Sequence, residues 1–111
     1  MDKLLVLYRI SVDTRQQEFE EVYRKYKPRI ESVPGHISEI LARSMDDPSS
    51  YIIVSLWQSE AFFAWLQSPS HIEVVDMLNR YKRAEAKISR YMLIDSFNRP
   101  AQQIASSRLI S

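Results

Sequence analysis

Hydrophobic and polar positions change their spacing several times along the chain, and each change predicts an element. Residues 3–11 and 51–57 are short runs rich in strand-forming apolar side chains. Apolar and polar residues alternate from residue 37 to residue 44, which is typical of a strand with one partly exposed face, and so of an edge strand. Turn-forming residues at 46–50 join this strand to the next one, so the two strands are predicted to form a hairpin.

The first helical pattern covers residue 16 to about residue 30, where apolar side chains recur at three- and four-residue steps. Asp13 or Thr14 is available to cap it. Pro28 is expected to kink the helix or end its regular part early, because proline lacks the amide donor and crowds the preceding turn. The pattern predicts an amphipathic helix with one buried stripe.

The second helical region is interrupted. Ser59 is expected to cap a short aromatic helix that pauses at Pro69, and a capping box that starts at Ser70 restarts the helix as far as Tyr81. Residues 88–97 return to strand character. The order strand, helix, strand, strand, broken helix, strand predicts a ferredoxin-like α+β fold, βαββαβ, with an antiparallel four-stranded sheet.

The strands at residues 3–11 and 51–57 are apolar on both faces. The helical regions can cover one face of the sheet, which leaves the other face for a second copy of the chain. We therefore expect a homodimer packed sheet against sheet. Residues 1–98 are predicted to form its domain, and residues 99–111 a polar tail that is loose or docks on a partner.

Composition and charge remove several classes of function. The 111 residues carry 15 basic and 14 acidic side chains, so no general attraction to nucleic acid is expected. A chain without cysteine and with one glycine has neither thiolate chemistry nor a glycine-rich phosphate loop. His36 and His71 are too far apart for a paired helical metal motif. Without a bilayer-length apolar run or a signal-peptide pattern, we expect a cytoplasmic protein with no membrane partner and no protein-bound metal.

Aromatic side chains are the remaining candidates for chemistry. They could line a space between helices and sheet that suits a flat apolar ligand, with His71 or a tyrosine hydroxyl as a polar point. The competing interpretation makes Tyr23 and Phe62 ordinary core residues, His71 an exposed residue of a first helical turn and His36 a structural turn residue.

Several short segments resemble the antibiotic biosynthesis monooxygenase superfamily, which includes quinol monooxygenases and haem-degrading monooxygenases. They are VPGHI (33–37), DP (47–48), YIIV (51–54), WQSEAF (57–62) and WLQS (65–68). The resemblance runs from the first strand to about residue 97. It implies ferredoxin-like dimers whose sheets form a shared barrel, a dimeric α/β barrel, and it is more specific for the fold than for the activity.

The resemblance also implies roles for individual residues. Trp65 matches the helix tryptophan that lines the pocket in several members. Tyr8 stands where haem-degrading members have an asparagine, and Val75 stands where they have the axial histidine. Both departures disfavour haem as a cofactor, although a shifted register would bring His71 near the ligand position.

For the quinol-type reaction, the resemblance implies that neither metal nor flavin takes part. A phenol or anthrone is deprotonated, and its anion reacts directly with oxygen. Trp65 is expected to orient the ring, and Tyr8 or His71 to handle the proton. The expected substrate-binding residues are Phe62, Tyr23 and Tyr91.

The sequence therefore predicts an oxidoreductase, a cofactor-independent monooxygenase that acts on a flat aromatic or quinol-like molecule. The alternative is a non-catalytic dimeric module that binds a small molecule or haem in the same pocket, or docks on a larger partner through the tail. Haem degradation ranks last, because Tyr8 and Val75 occupy the two diagnostic positions.

Overall fold

The structure, a computed structural model, describes residues 2–95. Its elements are β1 (Lys3–Ser11), α1 (Gln16–Glu31), β2 (His36–Arg43), β3 (Ser50–Gln58), α2 (Ser59–Leu66), α3 (Pro69–Tyr81) and β4 (Lys87–Met92). The four strands form one antiparallel sheet in the order β2-β3-β1-β4. The predicted ferredoxin-like α+β fold is confirmed, and β2 is an edge strand as predicted. No helix of the described part is both long and apolar enough to span a bilayer.

The core lies between one face of the sheet and the three helices. On the central strands this face carries Val6, Ile10, Tyr51, Ile53 and Trp57, all buried. Strand alternation places these side chains on the same side, since Ile10 is opposite Tyr51 in the register of β1 and β3. The helices complete the core with Phe19, Tyr23, Ile30, Phe62, Trp65, Val74, Met77, Leu78 and Tyr81.

The expected early end of α1 at Pro28 is wrong, because the helix continues through Pro28 to Glu31. Buried Ile30 holds the last turn against the sheet. The carbonyl of Pro28 accepts the amide hydrogen of Ser32 at 3.0 Å, so the turn after the proline is hydrogen-bonded.

The helix starts also differ from the predicted caps. Neither Asp13 nor Thr14 caps α1; Asp13 instead accepts the amide hydrogen of Arg15, the N-cap residue, at 2.9 Å. The N-cap of α2 is Gln58, because β3 runs directly into that helix. Ser68, two residues before the predicted Ser70, caps α3.

At this helix start the Ser68 hydroxyl accepts the amide hydrogen of His71 at 3.2 Å. Pro69 occupies the first turn of α3, where its missing donor costs no hydrogen bond. The interruption between α2 and α3 is therefore a well-formed helix start.

The last strand is shorter than predicted, since β4 ends at Met92 and residues 93–95 are not strand. β4 pairs with β1, and Met92 is opposite Leu4. Because β1 begins at Lys3, the pairing ends there with the hydrogen bond from the amide of Leu93 to the carbonyl of Lys3 at 2.9 Å. Phe97 and the predicted tail at 99–111 lie outside the described residues.

The second sheet face, which we call the open face, carries the remaining apolar side chains of β1 and β3. No helix of the described residues covers them, and they are partly exposed: Leu5, Leu7, Ile52, Val54 and Leu56. On the flanking strands, Ile40 and Tyr91 expose 54% and 53% of their surface. The predicted imbalance between the two faces is therefore present in the structure.

A tight turn at Gly35 joins α1 to β2. Gly35 has a φ of +88°, a left-handed conformation that favours glycine. Its carbonyl accepts the amide hydrogen of Gln58 at 2.8 Å, which ties the turn to the end of β3. A Cβ atom added at Gly35 would overlap the Cβ of Ala61 in α2. The turn thus fixes where β2 begins relative to α2.

We expect Gly35→Ala to lower the free energy of unfolding by about 2 to 4 kcal/mol, because a left-handed alanine and the overlap with Ala61 add their costs. Urea denaturation measures this loss. In Gly35→Ala/Ala61→Gly the overlap is gone, so the double variant should be more stable than the sum of the single losses predicts. Strict additivity of the two losses would contradict the proposed contact.

Candidate functional site

A cavity of about 120 Å³ lies between the helix-facing side of the sheet and the helices. All three helices and all four strands contribute to its wall, which is mostly aromatic and aliphatic. For comparison, an engineered apolar cavity of about 150 Å³ accepts benzene. The space therefore matches one aromatic ring, or the leading ring of a larger flat molecule.

Five of the six predicted site residues line this cavity: Tyr8, Tyr23, Phe62, Trp65 and His71. Tyr91 does not line this cavity. Tyr91 is opposite Leu5 in the register of β4 and β1, so alternation places it on the open face. Ile88, opposite Tyr8, is the β4 residue that lines the cavity.

Trp65 forms a rigid aromatic wall. Its ring stacks on Trp57 with 5.7 Å between centroids and 26° between planes. His71 meets Trp65 edge-on at 5.5 Å, and Phe62 meets Trp57 edge-on at 5.9 Å. Since Trp57 is a buried strand residue, the sheet fixes the orientation of Trp65 from behind.

One side of the cavity, the open end, is lined by partly exposed side chains: Tyr8, His71, Val75 and Ile88. Burial raises the pKa of Tyr8, and the negative charge of Glu85 raises it further, so at neutral pH Tyr8 is a hydrogen-bond donor and not a base. Burial lowers the pKa of His71 against the opposing effect of a hydrogen bond to the backbone of Leu66. An uncharged His71 can accept a proton at neutral pH.

The opposite side, the closed end, contains a buried carboxylate. Glu39 Oε2 accepts the hydroxyl hydrogen of Tyr23 at 2.7 Å, and Glu39 Oε1 lies 2.9 Å from His36 Nε2. The side chains of His36 and Glu39 are only 2% and 3% exposed. Burial, and then the negative charge of Glu39, raise the pKa of Tyr23 far above its ordinary value. Ser55, opposite Glu39 on β3, also lines the cavity.

Glu39, Ser55 and His36 are site residues that the sequence analysis did not identify. His36 does close the turn as expected, since its amide donates to the carbonyl of Val33 at 3.0 Å. It also begins β2, is buried against the ring of Trp57 at 4.7 Å and contacts Glu39. The sequence does contain one signal for Glu39. Glu39 is two residues before Leu41 in the alternating pattern, so both side chains are expected on the same face of the strand. A carboxylate on an apolar strand face needs a partner.

Within residues 2–95, no group of three or more histidine, aspartate or glutamate side chains is arranged to hold a metal ion. Val75, at the position where the resemblance places an axial histidine, lines the cavity with an aliphatic side chain.

Comparison with known proteins relates most of the chain to one family. The model of the family described as antibiotic biosynthesis monooxygenase matches residues 5–77. The 42.8 kDa protein in the whiE locus of Streptomyces coelicolor is 39% identical over 67 residues, which are 60% of this chain and 17% of that protein. Polyketide synthase CurD of Streptomyces cyaneus is 34% identical over 80 residues, which are 72% of this chain and 21% of CurD. The chain thus spans about a fifth of the length of these curated relatives.

Among solved structures, the fold is similar to that of SnoaB, a cofactor-independent oxygenase from Streptomyces nogalater. The TM-score is 0.79 at 20% identity, and the similarity covers 89% of this chain and 100% of the SnoaB chain. At this identity the similarity establishes the common fold.

The lowered pKa of His71 predicts how stability depends on pH. The unfolded chain binds a proton at His71 near pH 6.5, whereas the folded chain binds it only at lower pH. The contribution of His71 to the free energy of unfolding is therefore complete above about pH 6.5. It is lost as pH falls through the folded-state pKa of His71. In His71→Gln the loss between pH 7 and pH 5 should be smaller than in wild type.

Urea denaturation at several pH values measures this difference. Asn79→Gln, at an exposed position of the same helix, should keep the wild-type pH dependence. An unchanged pH dependence in His71→Gln would show that His71 does not titrate differently in the folded chain.

Proposed function

The chain belongs to the antibiotic biosynthesis monooxygenase family, and from this we propose that it is a cofactor-independent monooxygenase that acts on a flat phenolic or quinol-like ring. The observation that carries the proposal is a ring-sized cavity. Its aromatic wall is Trp65 stacked on Trp57, and its open end holds the phenol of Tyr8 and the uncharged imidazole of His71.

The reaction needs a substrate that supplies all of the electrons. When a hydroquinone is the substrate, one oxygen atom of O₂ forms a bond to a ring carbon and becomes the new oxygen of a hydroxyquinone. The other oxygen atom leaves as water with two hydrogens from the substrate. Removal of a hydroxyl proton makes the ring anion electron-rich enough to reduce O₂ directly. The protein has to orient the ring, stabilise the anion and exclude water.

Trp65 orients the ring by packing against its face. Tyr8 retains its proton at neutral pH, so its hydroxyl can donate a hydrogen bond to the oxygen anion of the substrate. His71 is uncharged at neutral pH and can accept a proton from a hydroxyl at the open end. Phe62 and Tyr23 complete the apolar surroundings that exclude water.

The comparisons support the same class of chemistry. SnoaB is a cofactor-independent oxygenase with the same fold. CurD is a polyketide synthase, which favours a polyketide-derived ring as the substrate.

Haem is disfavoured as a ligand of this cavity. Val75 stands at the position where the resemblance places the axial histidine, and its aliphatic side chain provides no nitrogen ligand. The non-catalytic alternative is a module that holds a flat ring in the same cavity without turnover.

We also propose that a second copy of the chain covers the open face. Ile52, Val54 and Leu56 on β3 together with Leu5 and Leu7 on β1 form a contiguous apolar surface over the two central strands. Surfaces of this kind are stable in water when another apolar surface packs on them. Packing of the two sheets would give the homodimer expected from the sequence.

We expect the purified protein to consume oxygen with hydroquinones or anthrones in the absence of added metal or flavin. Trp65→Ala removes the aromatic ring that orients the substrate. It should lower kcat/KM by about 100-fold, because a small misplacement of the reacting groups costs about that factor in rate. An oxygen electrode measures the rate. Phe63→Ala, which removes an exposed aromatic ring from the same helix, is the matched control and should keep the wild-type rate.

Three results would contradict or replace this proposal. Equal loss in Phe63→Ala would show that the effect is not specific to the cavity. Uptake that disappears on metal removal would exclude the cofactor-independent reaction. Ring binding without oxygen uptake would favour the non-catalytic module.

For the open face, sedimentation should give twice the mass of one chain for the wild type. Val54→Lys places a charge in the middle of this face and should shift the protein to the mass of one chain, because a buried unpaired charge is costly. Ile72→Lys changes an exposed isoleucine of α3 and should leave the mass unchanged. A wild type with the mass of one chain would refute the dimer.

A further inference from the structure

The closed end of the cavity contains more acceptor capacity than its internal contacts use. A carboxylate has about four lone-pair sites, and Glu39 uses one on each oxygen, for Tyr23 and for His36. Glu39 also lines the cavity. Its remaining sites are therefore available to a donor that enters the cavity.

A purely structural role does not account well for a carboxylate at this position. Removing an ionised group from water is costly, and a buried ion pair often stabilises a fold no more than apolar residues of similar volume. On the same face Leu41 and Ile53 are aliphatic, whereas Ser55, directly opposite Glu39, is polar and also lines the cavity. Glu39 thus belongs to a small polar group in the wall of a mostly apolar cavity.

The register of the sheet places Glu39 far from the polar groups of the open end. Glu39 is on β2 and Tyr8 is on β1, with β3 between them, so two strand spacings of about 10 Å in total separate their backbones. Trp65 and Phe62 also line the cavity. A ring that enters from the open end therefore brings its leading edge to Glu39.

We propose that Glu39 accepts the proton of a hydroxyl on the leading edge of the bound ring, with His36 as its positioning residue and the Tyr23 hydroxyl as a second hydrogen-bond donor to it. The proposal rests on the proposed function for the identity of the reaction and specifies the substrate as a ring whose inner edge carries a hydroxyl. The hydroxyl O–H bond breaks and an O–H bond forms on Glu39. The electron pair stays on the ring oxygen, and the resulting anion reacts with O₂.

His36 holds the carboxylate in place for this step. Its Nε2 contacts one oxygen of Glu39, and its ring is fixed edge-on against Trp57, the residue that also supports Trp65. The proton acceptor and the aromatic wall are therefore parts of one packed unit. A displacement of Trp57 would misplace both.

The test compares two ring probes that differ in one group. 4-Nitrophenol carries a hydroxyl and changes its absorbance on ionisation, whereas 4-nitroanisole carries a methoxy group and cannot donate. In a buffer acidic enough to keep free 4-nitrophenol neutral, wild-type protein should bind 4-nitrophenol at least about tenfold more tightly than 4-nitroanisole, and the bound phenol should show the absorbance of its ionised form. Glu39→Gln should lose both the preference and the absorbance change, while Glu60→Gln, on the surface of α2, should keep them.

Tyr23→Phe provides a second variant with the opposite expected result. It removes one hydrogen bond from Glu39 and leaves the aromatic ring, so Glu39 becomes a stronger acceptor. The ionised fraction of bound 4-nitrophenol should increase, which loss of packing alone would not produce. This variant tests the proposal even when Glu39→Gln does not fold.

The outcomes separate the two proposals. Oxygen uptake with an unchanged probe preference in folded Glu39→Gln would overturn the role of Glu39 and leave the monooxygenase standing. A probe preference that depends on Glu39, without oxygen uptake by any hydroxylated ring, would support the hydroxyl site and refute the monooxygenase. An ionised fraction that does not increase in Tyr23→Phe would overturn the role of Glu39.

Discussion

Trp57 is the contact on which the site and the surrounding packing both depend. It lies near the end of β3, is fully buried, and touches side chains from β2 and α2 at once: His36, Phe62 and Trp65. Aromatic pairs in edge and stacked arrangements are stabilising and also directional. The position of the Trp65 wall therefore follows from a strand residue that cannot rotate without disturbing the core.

The turn at Gly35 controls where β2 lies relative to Trp57. Because it brings β2 back beside the end of β3, His36 lies opposite Trp57 in the sheet register. The pairing of β2 with β3 is irregular between His36 and Ser38, and beyond this irregularity the side chain of Glu39 faces the helices. A local backbone conformation accessible mainly to glycine thus determines where a buried carboxylate meets the cavity.

The two ends of the cavity differ in polarity and in access to solvent, and the sheet causes both differences. The edge strand β2 lies under α1, and Tyr23 of α1 closes that end over Glu39. The opposite edge strand β4 is covered less, and Ile88 and Met92 expose 60% and 62% of their surface. Partial burial raises the pKa of Tyr8 and lowers the pKa of His71 at this end, so both side chains stay uncharged at neutral pH.

The sequence by itself determined the order and type of the elements, the apolar character of both faces of the central strands, and most of the cavity wall. These follow from local spacing, because strand alternation and helical periodicity are visible along the chain. Tyr91 shows the limit: an aromatic residue in a strand can lie on either face, and only the pairing with β1 placed it outside the cavity. Likewise, only the tertiary structure brought His36, Glu39 and Tyr23 together, since Tyr23 belongs to a helix and the other two belong to an edge strand with an irregular register. Hydrogen bonds between distant elements leave no periodic pattern in the sequence. For that reason only the fold determined the partners of the buried Glu39 carboxylate.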